Sequence, residues 1–329
     1  MAGGPTTPAL VLAAAEAGAV GMLAAGYKTA ADMQAEMAAV RSATSAAFGV
    51  NLFVPGEAAS EPDALEAYVG TLEEEAAELG ATLGAPRWDD DEYGAKLHAL
   101  LAAPPPLVSF TFGCPPRDVV RTLQAAGSLV VVTVTTPAEA VLAQEVEVDC
   151  LCVQGIEAGA HRGSFVNDDS PGQDHPLAAL LPDVRATCNL PLIAAGGITD
   201  RQSVEAALAA GATQVQLGTA FLRCTESGAH PLYKAALADP RFTSTAITRA
   251  FSGRRARSLV NGFMRAHEDV PPAYPEINHV TRPLRAAAAA AGDPDHMSLY
   301  AGKGFRRAEE RSAGEIIEQL APALERPTS

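Results

Sequence analysis

The sequence predicts an α/β protein, a TIM (β/α)8 barrel that lacks its first strand and carries a smaller, mostly helical cap. Short β-rich runs alternate with Ala-rich helical segments from the N-terminus to about Phe221, the pattern of repeated βα units around a parallel sheet. The 329 residues are 48% hydrophobic, enough for one such barrel or for two ordinary domains. Gly-containing loops follow the last two β-rich runs, where α/β barrels commonly bind phosphate.

Seven β-rich segments are predicted to be strands, and each ends in a turn residue. They are Gly18 to Ala24, Phe48 to Phe53, Leu107 to Phe112, Leu129 to Val134, Val148 to Val153, Leu190 to Ala195 and Thr213 to Leu217. Eight strands close a TIM barrel, and the chain opens at Met1 with residues typical of a loop that follows a strand. We therefore expect the first strand to be missing. The alternatives are an open doubly wound sheet, or another segment in the eighth position.

Six segments between these strands have the composition of helices. They are Thr7 to Ala17, Thr29 to Thr44, Arg117 to Ala126, Pro137 to Gln144, Pro176 to Ala186 and Asp200 to Ala210. Asp200 is a typical N-cap residue and Gly211 a typical residue just after a helix, so we place the last of these helices between them.

An acidic insertion separates the second and third predicted strands. Residues Glu57 to Gly80 have helical character, and Trp88 to Glu92 read WDDDE. Clustered carboxylates can bind a divalent metal, but contiguous Asp side chains point in different directions and usually form an exposed turn. We expect an exposed turn and no metal site.

The βα rhythm stops after Phe221, and this change sets the domain boundaries. Residues 1–222 are predicted to form the barrel, 223–303 a helical cap over the strand ends, and 304–329 a tail whose helix, Ala313 to Leu324, packs back on the barrel through its apolar face. The cap carries a basic cluster in an otherwise acidic chain: Arg254, Arg255, Arg257 and Arg265.

The overall charge and the cysteines exclude several classes of protein. A net charge of −15 argues against nucleic acid or an anionic membrane as a partner. The five cysteines are scattered, without the paired spacing of a zinc site or a disulfide framework. No secretory leader precedes the barrel pattern and no apolar run reaches about 18 residues, so a cytoplasmic location is expected. The oligomeric state is not predicted.

The stretch Val148 to Phe165, VDCLCVQGIEAGAHRGSF, is where we expect the chemistry. A buried strand ends at Gly155 and delivers a loop with an imidazole at His161 and a guanidinium at Arg162. Such a loop suits an anionic or acidic substrate. The other six histidines lack metal-ligand spacing, and we interpret them as surface or cap residues.

Two later loops indicate a phosphate site. The stretches Pro191 to Leu208 and Ala212 to Phe221 each run from a strand through a Gly-containing loop to a helix start, where backbone N–H groups can bind phosphate. The candidate phosphate residues are Gly196, Gly197, Gly218 and Thr219.

Four stretches together resemble the nitronate monooxygenases, in one order along nearly the whole chain. They are QGIEAGAHRG at 154–163, AAGGI at 194–198 with QLGTAF at 216–221, FGVNLFV at 48–54, and LYAG at 299–302. The resemblance implies an FMN-dependent TIM barrel with a helical cap, in which His161 is the active-site histidine. The FMN contacts that it implies are Asn51, Gln154, Gly159, Gly196, Gly197, Gln216, Gly218 and Thr219.

The resemblance also implies a reaction. An alkyl nitronate is oxidised at the flavin and O2 takes up the electrons, giving a carbonyl compound and nitrite without NAD(P)H. His161 would be a proton acceptor for neutral nitroalkanes or an anchor for the nitronate, and Arg162 is expected to be structural. Two alternatives stay open: an NAD(P)H-dependent quinone or enoyl-thioester reductase, and a non-catalytic remnant of a flavin barrel.

Two positions depart from the family pattern. Ala160 stands where the family usually has a second Gly before the histidine, and Lys303 stands where Gln is common. The first places a methyl group beside the flavin loop, and the second adds a positive charge near the cap or at the surface.

Overall fold

The computed structural model describes residues 1–168 and 174–321 and contains ten strands in two sheets. The strands are β1 Gly21–Ala24, β2 Phe48–Phe53, β3 Leu107–Thr111, β4 Leu129–Val134, β5 Cys150–Gln154, β6 Ala160–His161, β7 Leu192–Ala195, β8 Gln214–Gln216, β9 Thr245–Thr248 and β10 Ala256–Leu259. Seven of them form one parallel sheet in the order β1-β2-β3-β4-β5-β7-β8.

This order is that of a TIM barrel, because neighbouring strands follow one another along the chain. A doubly wound sheet reverses its order at a switch point, and no reversal occurs here, so that alternative is excluded. All seven predicted strands are present, with ends that differ by a few residues. Within residues 1–168 and 174–321, no strand pairs with the outer edge of β1 or of β8. The predicted α/β barrel of seven strands is confirmed.

Thirteen α-helices surround and cap this sheet in the described part of the chain. They are α1 Pro8–Glu16, α2 Ala30–Ala43, α3 Pro62–Thr71, α4 Glu73–Glu78, α5 Tyr93–Ala102, α6 Arg117–Ala125, α7 Pro137–Glu145, α8 Leu177–Thr187, α9 Arg201–Ala209, α10 Pro231–Ala238, α11 Gly262–Ala266, α12 Glu276–Ala291 and α13 Ala313–Leu320. Asp200 caps α9, accepting a hydrogen bond from the backbone of Ser203, as its position predicted. None of these helices is long and apolar enough to cross a membrane.

The two faces of the sheet differ: one packs on the helices, and the other carries polar side chains together with a smaller apolar cluster around Val131 and Ile193. Val50 of β2 and Phe110 of β3 are fully buried in the cluster that joins the sheet to its helices. Successive side chains of a strand point to opposite faces, so Asn51, Ser109 and Thr111 lie on the other side. Burial of each large apolar side chain is worth about 1.5–3 kcal/mol. The apolar alternation therefore fixes which polar side chains face the interior of the barrel.

The segment 223–303 combines helices with strands that the sequence did not predict. Strands β9 and β10 are antiparallel, and β10 also pairs with β6, so that Ala256 lies opposite His161. The loop that bears His161 is thus the edge of a small three-stranded sheet. This pairing ties the candidate active-site loop directly to the segment above it.

The helices of the acidic insertion, α3 and α4, pack against the segment 223–303. Leu65 and Leu72 lie in one buried cluster with Phe263 and Ile277, and Tyr68 Oη donates a 2.7 Å hydrogen bond to Ala250 O. The cap, as used below, therefore means residues 223–303 together with α3 and α4.

The tail helix α13 packs against α1. Ile316 and Leu320 are buried in a cluster with Leu10 of α1. The predicted end of this helix at Leu324 lies outside the described residues.

Candidate active site

The loop after β5 is held from within by Arg162. Its guanidinium is 2% exposed and donates hydrogen bonds to Gly155 O at 2.8 Å and to Gln154 Oε1 at 3.0 Å. Gln154 Oε1 also accepts from Gly163 N at 2.9 Å, and Gln154 Nε2 donates to His161 O at 3.2 Å. Arg162 is structural, in line with the sequence analysis, and the Gln154 amide braces the loop that presents His161.

Glu157 braces the same loop from the other side. Its Oε2 accepts a 3.1 Å hydrogen bond from Leu177 N at the start of α8, where a carboxylate is stabilised by the unpaired N–H groups of the helix. The loop is therefore fastened to both β5 and α8 before any ligand is present.

His161 is enclosed by the barrel loops and the cap. Its Nε2 lies 2.8 Å from Ser252 Oγ, and its ring lies 5.2–5.7 Å from the rings of Phe112, Tyr274 and Tyr300. Burial, followed by the charges of Arg254 and Arg285, lowers the pKa of His161 to about 3. The imidazole is therefore neutral at physiological pH.

The positive charge of the site comes from two arginines, of which Arg254 is buried and Arg285 half-buried. The Arg254 guanidinium lies 4.0 Å from the ring centroid of Phe112 and donates a hydrogen bond to Ser164 O. Burial lowers its pKa to about 10, which still leaves it charged at neutral pH. Arg285 of α12 is held by Asn278 Oδ1 at 2.8 Å, and burial is also the main cause that lowers its pKa. Both charges act on His161 in a low-dielectric setting.

Aromatic side chains line the remaining wall. Tyr274 Oη donates to Tyr27 Oη at 3.1 Å, and the Tyr27 ring meets Phe53 edge-on at 5.5 Å. Tyr300 Oη is buried beside Ser252 but makes no hydrogen bond of normal geometry with the described residues. A buried hydroxyl without a partner is costly, so this pocket is suited to a ligand that accepts a hydrogen bond.

The WDDDE stretch supports this wall, so the expectation of an exposed turn was wrong for part of it. Asp91 Oδ1 accepts a 2.9 Å hydrogen bond from Tyr27 N, and Asp91 Oδ2 pairs with the buried Lys96 at 2.7 Å. Glu92 accepts from Ala30 N at 2.7 Å, at the start of α2. Tyr27 has a φ of +65°, a conformation that side-chain-bearing residues rarely adopt. Asp91 therefore holds a pocket residue in a strained backbone position.

The loop after β7 has the backbone that a phosphate site requires. Gly196 has a φ of +107° and Gly197 a φ of +71°, both in the region that favours glycine. A Cβ at Gly196 would lie 3.0 Å from Ala158 N. The loops after β5 and β7 are therefore in direct contact.

The loop after β8 joins the same cluster through Gly302. Gly302 N donates to Thr219 Oγ1 at 3.0 Å, and a Cβ at Gly159 would lie 2.4 Å from Gly302 N. The structure thus brings together four of the predicted flavin contacts, Gly159, Gly196, Gly197 and Thr219. It assigns Gly159 a close packing contact with the LYAG segment.

The other predicted contacts lie along the polar face of the sheet. Gln154, Ala195 and Gln216 occupy one row of the register, and Gly218 follows β8. Asn51 Oδ1 accepts hydrogen bonds from Ser109 Oγ at 2.8 Å and from Thr111 Oγ1 at 3.0 Å. The Asn51 amide is thereby oriented, and its NH2 group donates to none of the residues that the structure describes.

The two departures from the family pattern have different surroundings. Ala160 has a φ of +64°, so it adopts the conformation for which the family's glycine is suited. Lys303 is exposed, and its backbone N–H donates to Glu157 O at 3.0 Å. The added charge of Lys303 is at the surface.

Comparison with known proteins agrees with this geometry. A family model described as nitronate monooxygenase matches residues 1–323. The chain belongs to the nitronate monooxygenase family.

Individual relatives of the family support the assignment. A nitronate monooxygenase of Pseudomonas aeruginosa is 40% identical, over 98% of this chain and 93% of that protein. The crystal structure of a nitroalkane oxidase from Streptomyces ansochromogenes is 48% identical with a TM-score of 0.95, covering 97% of this chain and 92% of the other. The structure of FabK from Thermotoga maritima is 25% identical with a TM-score of 0.73, covering 97% and 89%. The predicted family and the enzyme class are confirmed, and the cofactor class is a flavin.

Sequence reasoning missed most of the pocket of this nitronate monooxygenase family member. Arg254 belongs to the basic cluster and Tyr300 to the LYAG stretch, so the sequence drew attention to the neighbourhood of both residues. Ser252 and Arg285 had no signal that distinguished them from other polar residues. Two other members of the basic cluster have other partners: Arg257 donates to Ile156 O at 2.9 Å and Arg255 pairs with Asp174 at 2.6 Å.

Proposed function

We propose that this protein holds FMN at the carboxyl ends of its barrel strands and uses O2 to oxidise alkyl nitronates to a carbonyl compound and nitrite. The observation that carries the proposal is a neutral His161 beside the charges of Arg254 and Arg285, in a chain that the nitronate monooxygenase model matches almost throughout. The names of the relatives from Pseudomonas and Streptomyces support the substrate class.

The residues present fit FMN. The Gly196–Gly197 loop, with Gly218 and Thr219, offers backbone N–H groups for the phosphate. Asn51 and the row that holds Gln154 and Gln216 would face the flavin ring, beside Gly159. FMN, when bound, would supply the redox chemistry by taking electrons from the nitronate and passing them to O2.

The side chains of the pocket divide the remaining work. Arg254 and Arg285 carry guanidinium groups, which keep their charge in proteins, and they attract the anionic nitronate. His161 is neutral, so it serves as a hydrogen-bond partner of a nitronate and as the proton acceptor when a neutral nitroalkane is the substrate. The cationic anchor that the sequence left open for His161 is thus provided by the arginines. The cap excludes water, which strengthens these charge interactions.

The test is anaerobic mixing of FMN-loaded protein with propionate 3-nitronate, followed by flavin absorbance. We expect rapid bleaching by the nitronate, slow or no bleaching by NADPH, and release of nitrite once O2 is admitted.

Two outcomes would contradict the proposal. Rapid bleaching by NADPH with no response to nitronate would identify an NAD(P)H-dependent reductase. Purified protein that neither contains flavin nor takes up added FMN would indicate a non-catalytic barrel.

A further inference from the structure

We propose that Ser252 is a positioning residue that fixes the tautomer of His161, with the proton on Nε2 and the lone pair on Nδ1. The inference rests on the proposed function, because it concerns how His161 accepts a proton from a neutral nitroalkane. The structural neighbour named nitroalkane oxidase makes such a substrate relevant to this chain.

The geometry around Ser252 is confined. Ser252 is 1% exposed, and its Oγ lies 2.8 Å from His161 Nε2. Its Oγ also lies 3.3 Å from Arg254 O and 3.3 Å from Arg254 N. One hydroxyl therefore has a ring nitrogen, a carbonyl acceptor and an amide donor within reach, and the Tyr300 hydroxyl lies beside it. Among the described residues, His161 Nδ1 has no hydrogen-bond partner.

The two backbone groups of Arg254 favour one direction of the bond between Ser252 and His161. Arg254 N–H can only donate to Ser252 Oγ, and Arg254 O can only accept the Ser252 hydroxyl proton. With that proton directed to the carbonyl, the Oγ accepts from His161 Nε2–H. The lone pair of the neutral ring then lies on Nδ1, because the hydrogen bond of one ring nitrogen determines the state of the other.

The same arrangement suits the product of proton transfer. When the Cα–H bond of a nitroalkane breaks, its proton moves to Nδ1 and the electron pair forms the C=N bond of the nitronate, with the charge on the nitro oxygens. Both nitrogens of the resulting imidazolium donate, so Ser252 Oγ must accept and its own proton must find another acceptor. Arg254 O already provides it at 3.3 Å, so no group has to reorient during the transfer.

The two residues are held at a fixed separation by backbone pairing. Arg162 N donates to Arg255 O at 2.8 Å, and Ala256 lies opposite His161 in the β6–β10 pair. Gly253, next to Ser252, has a φ of +77°, and a Cβ there would lie 2.0 Å from Ala273 O. The turn that carries Ser252 is therefore packed tightly against the segment that contains Ala273.

The experiment compares Ser252→Ala with Ser258→Ala on two substrates, nitroethane and preformed ethylnitronate. Ser258 is an equally buried serine in β10 whose hydroxyl makes no hydrogen bond in the described structure, so it is a matched control. Proton transfer by a positioned base is worth about 10²–10⁴-fold. We expect Ser252→Ala to lower kcat/KM about tenfold or more on nitroethane and less than about twofold on ethylnitronate. Ser258→Ala should change kcat/KM on nitroethane and on ethylnitronate by the same factor.

A second readout does not depend on turnover. Long-range ¹H–¹⁵N spectra of histidine-labelled protein, assigned with His161→Asn, should show the Nε2–H tautomer of His161. Ser252→Ala should mix the tautomers and Ser252→Thr should restore the single one.

Three results would overturn the inference: a wild-type Nδ1–H tautomer, an unchanged spectrum in Ser252→Ala, or equal losses on nitroethane and ethylnitronate. If Ser252→Ala does not fold, Ser252→Cys keeps the shape with a weaker hydrogen bond and is expected to shift both readouts in the same direction. Wild-type protein inactive on ethylnitronate would count against the proposed function, while the spectra would still decide the tautomer.

Discussion

The two ends of the candidate site are built in different ways. At the β7 and β8 end, the groups offered to a ligand are backbone N–H groups of glycine loops, and Gly197 and Gln216 are exposed. At the His161 end, the groups are side chains from the loop after β5, the β9–β10 turn, α12 and the LYAG segment. Ser252 and Arg254 are buried, and His161, Arg285 and Tyr300 are half-buried. The first end depends on local backbone conformation, whereas the second depends on contacts between distant segments. Substitutions at the two ends should therefore fail in different ways.

The largest effect is expected from His161→Ala. Loss of the proton acceptor should lower kcat/KM for nitroethane by about 10²–10⁴-fold, because that is what proton transfer by a positioned base contributes. FMN content should stay close to that of the wild type, since the phosphate loops are untouched. The measurement is steady-state oxygen consumption together with the flavin-to-protein absorbance ratio. Unchanged turnover of nitroethane would remove His161 from the base role.

Arg254→Gln tests the charge of the same end. Removing a buried cation that pairs with an anionic substrate costs about 1.5–3 kcal/mol, so we expect KM for ethylnitronate to rise by about 10- to 100-fold. Arg255→Gln, which removes the neighbouring charge that pairs with Asp174, is the matched control and should change KM little. If both variants raised KM equally, the positive charge near the site would matter but the position of Arg254 would not.

Gly196→Ala tests the other end. A side chain at a φ of +107° is strained and also meets Ala158 N at 3.0 Å, so FMN affinity should fall about tenfold and stability by about 1–3 kcal/mol. Gly127→Ala is the control, since Gly127 has a φ of +93° with open space around it. It should lose comparable stability in thermal unfolding but retain its FMN affinity. If both variants lost FMN, the loss could not be attributed to the loop after β7, and the proposed role of this loop in flavin binding would be contradicted.

The smallest effect is expected at the junction of the two ends. Ala160→Gly relieves a left-handed backbone conformation at a φ of +64°, and the gain should be up to about 1 kcal/mol. Urea unfolding of the FMN-free chain measures it. A destabilised variant would mean that the Ala160 methyl group makes contacts worth more than the strain.

The difference between the ends also explains what the sequence could predict. Strands such as Phe48–Phe53 and the glycines at 196 and 197 leave local signals, because alternation and turn residues act over a few positions. His161 was found because it follows a strand within a Gly-rich loop. The barrel, the position of the active loop and the phosphate candidates were accessible for this reason.

The pocket under the cap could not be derived in the same way. Arg285 stands in an Ala-rich helix and Asp91 in an acidic run, and neither context differs from that of an ordinary surface residue. Their roles arise from pairings between positions far apart, such as Asp91 with the backbone of Tyr27. Tertiary contact decides these roles, and local composition contains no record of it.

The cap assembled from two parts of the chain has a consequence for folding order. Tyr68 and Ala250 are joined across 182 positions, and contacts of such long sequence separation form late because the loop between them must first be closed. During synthesis, most of the parallel sheet emerges before the partners of α3 and α4 exist. The nascent chain therefore passes through a stage in which the barrel is formed but the pocket is open, and a flavin can enter before the cap is completed.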